Sequence, residues 1–182
     1  MADKPERSPL PPPVRLKDPA MAGFLAWLVP GLGHFYQGRY AKGAIFAVCI
    51  WGIFVYGAYL GSSREVGVAR VVYCSFHSAD LRLYYLCQAG AGLPALPAIV
   101  QAIRVSNGRE PLTASKFEAP PRSDAELNSL NFSLGRAFEL GTLYTSIAGL
   151  LNLLAAYDAW CGPMLAQPGK KEEETDDVAV EQ

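Results

Sequence analysis

The sequence is poor in charge and has no excess of basic residues. Charged residues make up 18% of the 182 positions, against roughly a quarter in an ordinary soluble domain. The formal net charge is -1, and no Lys/Arg stripe occurs. Proteins that bind nucleic acid need a basic face to displace counterions from the phosphates. We therefore expect no nucleic acid partner.

Ligands for metals and the common catalytic motifs are also lacking. The chain has two histidines and four cysteines, with no C-x-x-C pair, whereas zinc sites need several clustered sulfur or nitrogen ligands. A disulfide between Cys74 and Cys161 is conceivable, but their spacing does not support it. The sequence contains no G-x-S-x-G, phosphate loop, dinucleotide fingerprint or H-E-x-x-H. We predict no metal, no cofactor and no catalytic residue, and activity as an enzyme is disfavoured but left open.

Apolar sequence is abundant, since hydrophobic residues make up 51% of the chain and the charges are concentrated in tails and connections. A helix rises about 1.5 Å per residue, so roughly 20 apolar residues cross a hydrocarbon core of ~30 Å. We predict an all-α integral membrane bundle of about four transmembrane helices within residues 19–163, between a disordered Pro-rich tail (1–18) and a disordered acidic tail (164–182). The predicted spans are 20–36, 41–61, 83–103 and 137–160.

The first predicted span is short and interrupted. Asp18-Pro19 is a typical helix start, with a carboxylate to cap free N–H groups and a proline at the first helical position. Pro30-Gly31-Leu32-Gly33 is expected to kink or break the second half of the segment. A re-entrant half-helix is the alternative. A cleaved signal peptide is disfavoured, because the bulky and polar residues 33–40 do not resemble a cleavage site.

The second and third spans differ in regularity. Residues 41–61 carry no charge after Lys42, which makes this the firmest span. Residues 83–103 contain Gly90, Gly92, Pro94 and Pro97. This pattern predicts a kinked spanning helix, with a broken helix around a small cavity, as in some transporters, as the alternative.

A capping box at Ser123–Glu126 opens an amphipathic helix over 123–136, which we expect to lie at the membrane surface and to run straight into the fourth span. Within 137–160, apolar residues fall on one arc of the helix and polar or small residues on the other. Such a stripe predicts contacts with other helices. The residues of this stripe are Glu139, Thr142, Ser146, Gly149 and Asn152.

The sequence Pro-Gly-Leu-Gly-His-Phe-Tyr-Gln-Gly-Arg at 30–39, followed by Lys42-Gly43, resembles the signature of the TM-two domain family. That resemblance covers residues 20–61 and implies two transmembrane helices joined by a very short turn. The whole chain is also similar to a family of uncharacterised bacterial multi-span membrane proteins, through 92–98 and 141–163. The second resemblance implies a bacterial membrane location and no known activity.

Four polar residues are candidates for function because polar groups are costly in hydrocarbon: His34, Glu139, Gln88 and Asn152. If all four segments span, His34 and Glu139 share one membrane side, with Asp158 and His77 on the other. His34 with Glu139 is then the one ionisable pair that the topology permits, and a proton-linked role is the hypothesis for it. Local structural roles for each residue are favoured over that hypothesis. Gln88 with Asn152 is a second polar pair, for which hydrogen bonding between helices is favoured over ligand binding. Glycines expected to allow close packing or tight turns are Gly31, Gly33, Gly38, Gly57, Gly61 and Gly149.

With four spans, Lys and Arg are slightly more numerous on the side that holds both termini, which favours cytoplasmic termini in a bacterial inner membrane. The leading functional hypothesis is a non-enzymatic structural or assembly component that acts through its helix faces. Its expected partners are the lipid bilayer, a second copy of the chain or other membrane proteins. The alternative is a small transporter or channel subunit with a Pro-broken helix. A membrane enzyme acting on lipid is a third class, supported by location alone.

Overall fold

A computed structural model describes residues 17–75 and 81–162 and confirms an all-α fold. Among these residues there is no β-strand, only an isolated bridge between Ser63 and Gly67. Both predicted tails fall mainly outside the described residues. The helices are α1 Pro19–Leu28, α2 Leu32–Tyr36, α3 Tyr40–Leu60, α4 Tyr84–Ala89, α5 Leu96–Ser106, α6 Asp124–Leu134 and α7 Arg136–Cys161, with a 3-10 turn at Leu93–Ala95 before α5.

Two of these helices, α3 and α7, are long and apolar enough to cross a membrane. At 21 and 26 residues they measure about 32 and 39 Å. They pack antiparallel, because Lys42 meets Asp158 at one end while Gly57 packs on Thr145 towards the other. We call these the terminal end, where residues 17 and 162 lie, and the loop end, which holds residues 61–75 and 107–135.

The first predicted span folds back on itself halfway. Val29 is extended, as expected for a residue before proline, and Gly31 adopts a φ of 88° that reverses the chain. The returning helix α2 packs on α1, so that a Cβ at Gly33 would lie 2.0 Å from the carbonyl oxygen of Ala22. The segment 20–36 is therefore a hairpin that returns to the terminal end, as in the re-entrant alternative, and is not a kinked span.

The third predicted span also folds back. Helix α4 runs inward from the loop end, the chain turns at Gly90–Gly92 (Gly92 has a φ of 75°), and α5 returns. The hydroxyl of Tyr85 on α4 donates to the carbonyl of Ala95 on the returning arm, over 2.7 Å. The two hairpins enter from opposite ends and their tips touch, since a Cβ at Gly92 would lie 2.0 Å from the carbonyl oxygen of Trp27. The predicted four spans are thus two full-length helices and two half-length hairpins.

On α3 and α7 the exposed faces are mainly apolar, and the buried face of α7 is mainly small and polar. The buried face of α7 carries small and polar residues, among them Thr142, Ser146, Gly149 and Asn152. Most large apolar residues of α7 are exposed, apart from Phe138. The same holds for α3, where only Gly43, Ile50, Phe54 and Gly57 are buried. The exposed apolar residues include Ile45, Val48, Val55, Leu140, Leu143, Ile147, Leu150 and Leu154.

Two further expectations about the loop end are corrected. The helix α6 begins at a Ser123 cap as expected. It does not run straight into α7, because Gly135 has a φ of 50° and interrupts the helix. The connections 62–82 and 104–122 were expected on opposite sides. They lie together, since the backbone N–H of Val68 donates to the carbonyl of Ser115. Their juxtaposition follows from the third segment folding back.

Substitution of the tightly packed glycines should destabilise the fold. A Cβ at Gly149 would lie 2.0 Å from the carbonyl oxygen of Cys87, so Gly149→Ala must push α4 away from α7. We expect Gly149→Ala and Gly33→Ala each to lower the free energy of unfolding by about 1–3 kcal/mol. Gly52→Ala is the matched control, because no atom lies within 4 Å of its added methyl group. It should raise stability by roughly 0.5–1 kcal/mol. Thermal unfolding of the purified variants measures both, and equal stability of Gly149→Ala and Gly52→Ala would contradict the packing.

Candidate functional site

A charged cluster at the terminal end joins α2, α3 and α7. The Nε2 of His34 lies 2.8 Å from Oδ2 of Asp158, and the ammonium of Lys42 lies 2.7 Å from the same oxygen and 2.8 Å from Oδ1. The guanidinium of Arg39 approaches Asp158 at 3.3 Å. His34 is completely buried and packs on the ring of Phe46. One carboxylate thus forms ion pairs with three basic side chains, which places the α1–α2 hairpin and the start of α3 against the end of α7.

The cluster retains unused hydrogen-bonding capacity. Nδ1 of His34 and one Nη of Arg39 are buried without a hydrogen-bond partner among the described residues. Next to them, the side-chain amide of Gln37 donates to the carbonyl of Ala159 over 2.5 Å. The cluster carries more positive than negative groups and most of it is shielded from water. Chemically it can anchor a hairpin, and its charge would attract an anion more readily than a cation.

The expected pair of His34 with Glu139 is not formed. Glu139 is exposed in the first turn of α7, at the loop end, whereas His34 contacts Asp158 in the last turn. The reason is the reversal at Pro30-Gly31, which brings α2 back to the terminal end. Asp158 was therefore assigned to the wrong side by the assumption of four spans. His77, the other histidine, lies outside the described residues.

Asn152 holds the tips of the two hairpins together at the middle of α7. Its amide nitrogen donates to the carbonyl of Trp27 at the end of α1, over 2.9 Å, and to the carbonyl of Gly90 at the end of α4, over 3.0 Å. The last carbonyls of a helix have no partner within it, so each tip needs an external donor. Asn152 is completely buried and supplies that donor to both.

Gln88 makes a separate set of bonds and does not pair with Asn152. Its amide nitrogen donates to the carbonyl of Val71 and to the hydroxyl of Thr145, over 3.0 and 2.8 Å. This side chain is also completely buried. It ties α4 to α7 and to the buried chain that follows Gly61. The two candidate amides are therefore cross-links between elements of the bundle: Asn152 donates to two backbone carbonyls, and Gln88 donates to one carbonyl and one hydroxyl.

The candidate glycines serve the same packing. A Cβ at any of five positions would fall within 2.8 Å of a neighbouring atom, whereas Gly38 has open space around it and a φ of 78° in the turn before α3. The five closely packed positions are Gly31, Gly33, Gly57, Gly61 and Gly149.

At the loop end, Glu126 gathers the surrounding loops. It accepts from Arg70 at 3.0 Å, from Lys116 at 2.9 Å and from the backbone N–H of Arg122 at 2.9 Å. Burial acts to raise the pKa of Glu126, but the Arg122 N–H and the two cations outweigh it and hold the pKa below its usual value. Arg70 is completely buried, and burial lowers the pKa of its guanidinium.

Glu118 is a buried acid that lacks such partners. It is completely buried, and neither carboxyl oxygen has a hydrogen-bond partner among the described residues. Burial raises its pKa to about 8, although the nearby N–H of Ala98, in the first turn of α5, acts to lower it. Its backbone has a φ of 51°, which a non-glycine residue rarely adopts. Sequence reasoning missed Glu118, because the sequence of a polar loop does not show which of its acids will be buried and which will be solvated.

The four cysteines are free. Cys74 is buried at the loop end while Cys161 is exposed in the last turn of α7, so the conceivable disulfide between them does not form. Within the part of the chain that the structure describes, no group of three His, Cys, Asp or Glu side chains could hold a metal ion.

Comparison with known proteins assigns the chain to a family. The family of unknown function DUF6677 matches residues 21–172, which covers every described helix except the first two residues of α1, and the chain belongs to it. This confirms the resemblance to an uncharacterised family. The TM-two likeness of residues 20–61 stays a prediction. No curated protein and no solved structure matches the chain.

Removal of the Asp158 carboxylate should loosen the terminal end. Asp158→Ala leaves His34, Arg39 and Lys42 close together without their shared acceptor, and we expect the free energy of unfolding to fall by about 1–3 kcal/mol. Glu139→Ala removes an exposed acid from the same helix and should change stability by no more than about 0.5 kcal/mol. Denaturant unfolding of both variants checks this. A larger loss of stability in Glu139→Ala than in Asp158→Ala would contradict this arrangement and favour the pairing of His34 with Glu139.

Glu118 should make stability fall as the pH rises from about 4.5 to about 8. In this window the folded state keeps the proton on Glu118, whereas the unfolded chain, with an ordinary pKa near 4.5, has released it. Ionisation of the buried carboxyl therefore opposes folding progressively up to its folded pKa. Glu118→Gln should remove this contribution and be the more stable protein at pH 8. Unfolding at pH 5, 7 and 8.5 tests this, and parallel profiles for both proteins would contradict it. Glu126 does not interfere, because its lowered pKa acts below this window.

Proposed function

We propose that this chain is a multi-pass membrane protein with a structural or assembly role and no chemistry of its own. The observation that carries the proposal is the reversed polarity of α3 and α7. An exposed face of large apolar residues lowers solubility in water, whereas contact of the same face with lipid is favourable. Small and polar residues face other helices, as in membrane bundles, where close backbone approach and interhelical hydrogen bonds replace the hydrophobic effect.

In this proposal α3 and α7 cross the bilayer, and the hairpins enter half of it from opposite sides. Backbone that leaves a helix at membrane depth is tolerated only where protein or water satisfies its polar groups. Asn152 provides that satisfaction at both tips, and Gln88 does the same for the carbonyl of Val71. These hydrogen bonds fix each hairpin to α7, and the satisfaction of buried backbone groups at the hairpin tips supports a bilayer location.

The structural or assembly role is supported by how these polar groups are used. Asn152 donates to two backbone carbonyls of the bundle, Gln88 donates to the carbonyl of Val71 and the hydroxyl of Thr145, and Asp158 pairs with three neighbouring side chains. Groups engaged in this way hold a shape. The faces available to a partner are the exposed apolar sides of α3 and α7, which fit other transmembrane helices or a second copy of the chain.

A small transporter or channel subunit is the second candidate. The observation in its favour is the pair of opposed hairpins, because discontinuous helices whose ends meet near the midplane are typical of transporters. A single copy of two spanning helices leaves little room for a pathway, so this function would require an oligomer. Reconstitution into liposomes separates the candidates: solute flux favours this one, whereas a discrete stoichiometric complex in mild detergent without flux favours assembly.

The orientation in the bilayer is open under this topology. The loops that four spans would separate now share one end, and the tails are counted at the end where each leaves the bundle. The 16 Lys and Arg residues then divide equally, with Lys4, Arg7, Arg15, Lys17, Arg39, Lys42, Lys170 and Lys171 at the terminal end and Arg64, Arg70, Arg82, Arg104, Arg109, Lys116, Arg122 and Arg136 at the loop end. The positive-inside rule therefore gives no preference for cytoplasmic termini.

The topology can be tested with single cysteines in a cysteine-free background. Two spans with two hairpins place Arg64→Cys and Gly108→Cys on one side of the membrane and Tyr40→Cys on the other. Four spans place Arg64→Cys and Gly108→Cys on opposite sides. Labelling of right-side-out and inverted vesicles with a membrane-impermeant maleimide distinguishes the two. The same vesicles, washed with alkaline carbonate, test the location itself, since release of the chain into the wash would refute a membrane role.

A further inference from the structure

His34 fixes the base of the α1–α2 hairpin, which we define as residues 32–38, to α7. Its side chain is completely buried and packs on Phe46 of α3. Nε2 lies 2.8 Å from a carboxylate oxygen of Asp158, and since a carboxylate only accepts, Nε2 carries a proton. Nδ1 is buried without a hydrogen-bond partner among the described residues. These contacts suit a neutral imidazole with its single proton on Nε2.

A second proton on His34 would meet neither an acceptor nor a surplus of negative charge. It would add an N–H at Nδ1, where the described residues offer no acceptor, and an unpaired buried donor is costly. Arg39 and Lys42 contact the same Asp158 oxygen as His34, at 3.3 and 2.7 Å. Helix α1, which also packs on α2, has no charged side chain from Pro19 to Leu28. One acid therefore already faces two cations, and an imidazolium would be a third.

Because of these contacts, acid opposes the docking of the base on α7. Burial lowers the pKa of His34, and the bond to Asp158 acts to raise it. The charges of Arg39 and Lys42 add to the lowering, and the net shift is downward. Once the base leaves α7, the imidazole regains an ordinary pKa of 6.5. Below that pH the released base takes up a proton that the docked base does not bind. Docking is therefore strongest above about pH 6.5 and weakens as the pH falls towards the pKa of the docked state.

We propose that His34 and Asp158 form a pH-sensitive latch, which mild acid opens so that the base of the hairpin leaves α3 and α7. Release breaks the contact between these two side chains and the bond from the Gln37 amide to the carbonyl of Ala159. The tip of the hairpin stays in place, because Asn152 holds it and an amide does not titrate. The latch acts within one chain, so it does not depend on how the chain crosses the bilayer.

The protonation state of His34 can be measured directly. NMR of the full chain, labelled with 15N-histidine in detergent micelles, gives one set of imidazole signals for each of the two histidines. The set that remains in His77→Gln belongs to His34. We expect a neutral imidazole with its proton on Nε2 at pH 7.5, which becomes charged only below about pH 6.5. A proton on Nδ1 at pH 7.5, or a titration midpoint at or above about pH 6.5, would contradict the latch.

Hydrogen exchange of residues 32–38 measures release of the base. Backbone hydrogen bonds protect the N–H groups of Phe35 and Gln37 in the docked state, and a five-residue helix does not persist alone. The measured rates are corrected for the intrinsic pH dependence of exchange. We expect protection of these groups to fall by up to about thirtyfold from pH 7.5 to pH 5, the factor set by protonation of a free imidazole.

His34→Gln separates the latch from general unfolding in acid. Its amide can still donate to Asp158 but gains no proton in this range, so protection of residues 32–38 should change by less than about threefold between pH 7.5 and pH 5. His77→Gln removes the other histidine and should behave like the unsubstituted chain. Equal losses in His34→Gln and the unsubstituted chain would overturn the latch, and so would a loss shared equally by α3 and α7. Thermal unfolding at pH 7.5 checks that both variants fold, and the NMR titration decides alone if His34→Gln does not.

Discussion

The architecture depends on one amide group placed where two helix ends meet. Helices α1 and α4 enter from opposite ends and stop near the same level of α7, and each exposes carbonyls that its own backbone cannot satisfy. The Asn152 amide donates to one carbonyl at each tip. In an apolar medium no water could replace these two hydrogen bonds, so both carbonyls would depend on Asn152. The close approach of the tips and the lack of side chains at Gly92 and Gly149 follow from the same constraint.

The two ends of the bundle are built on different electrostatic plans. At the terminal end, one acid, Asp158, gathers three basic groups from α2 and α3. At the loop end, Glu126 gathers Arg70 and Lys116, while Glu118 is buried and its carboxyl oxygens have no hydrogen-bond partner among the residues that the structure describes. The first arrangement fastens a hairpin to α7. The second fastens the loops beside the other hairpin, and it leaves one buried acid, Glu118, near the first turn of α5.

Sequence reasoning succeeded where a single helix decides the outcome. The capped start of α1, the length of α3 and the capped start of α6 are local properties, and periodicity or capping residues reveal them. It failed at Pro30-Gly31 and at Gly90–Gly92, because the same residues suit a kink and a reversal, and only tertiary contacts decide between them. Because of that ambiguity, His34 was expected to lie near Glu139 and not near Asp158, and the loops 62–82 and 104–122 were expected on opposite sides although they lie together. Glu118 could not be found, because burial of a loop residue depends on what folds over it.

The dependence of both hairpin tips on α7 has a consequence for biogenesis. Helix α7 is the last described element of the chain, yet Asn152 and Asp158 hold α1, α2 and α4, which are synthesised well before it. Neither hairpin has its tip carbonyls satisfied until the final helix is in place. The first half of the chain therefore cannot reach its final packing before the last helix has been synthesised. Its folding has to be completed from the C-terminal side, by residues that emerge from the ribosome after both hairpins.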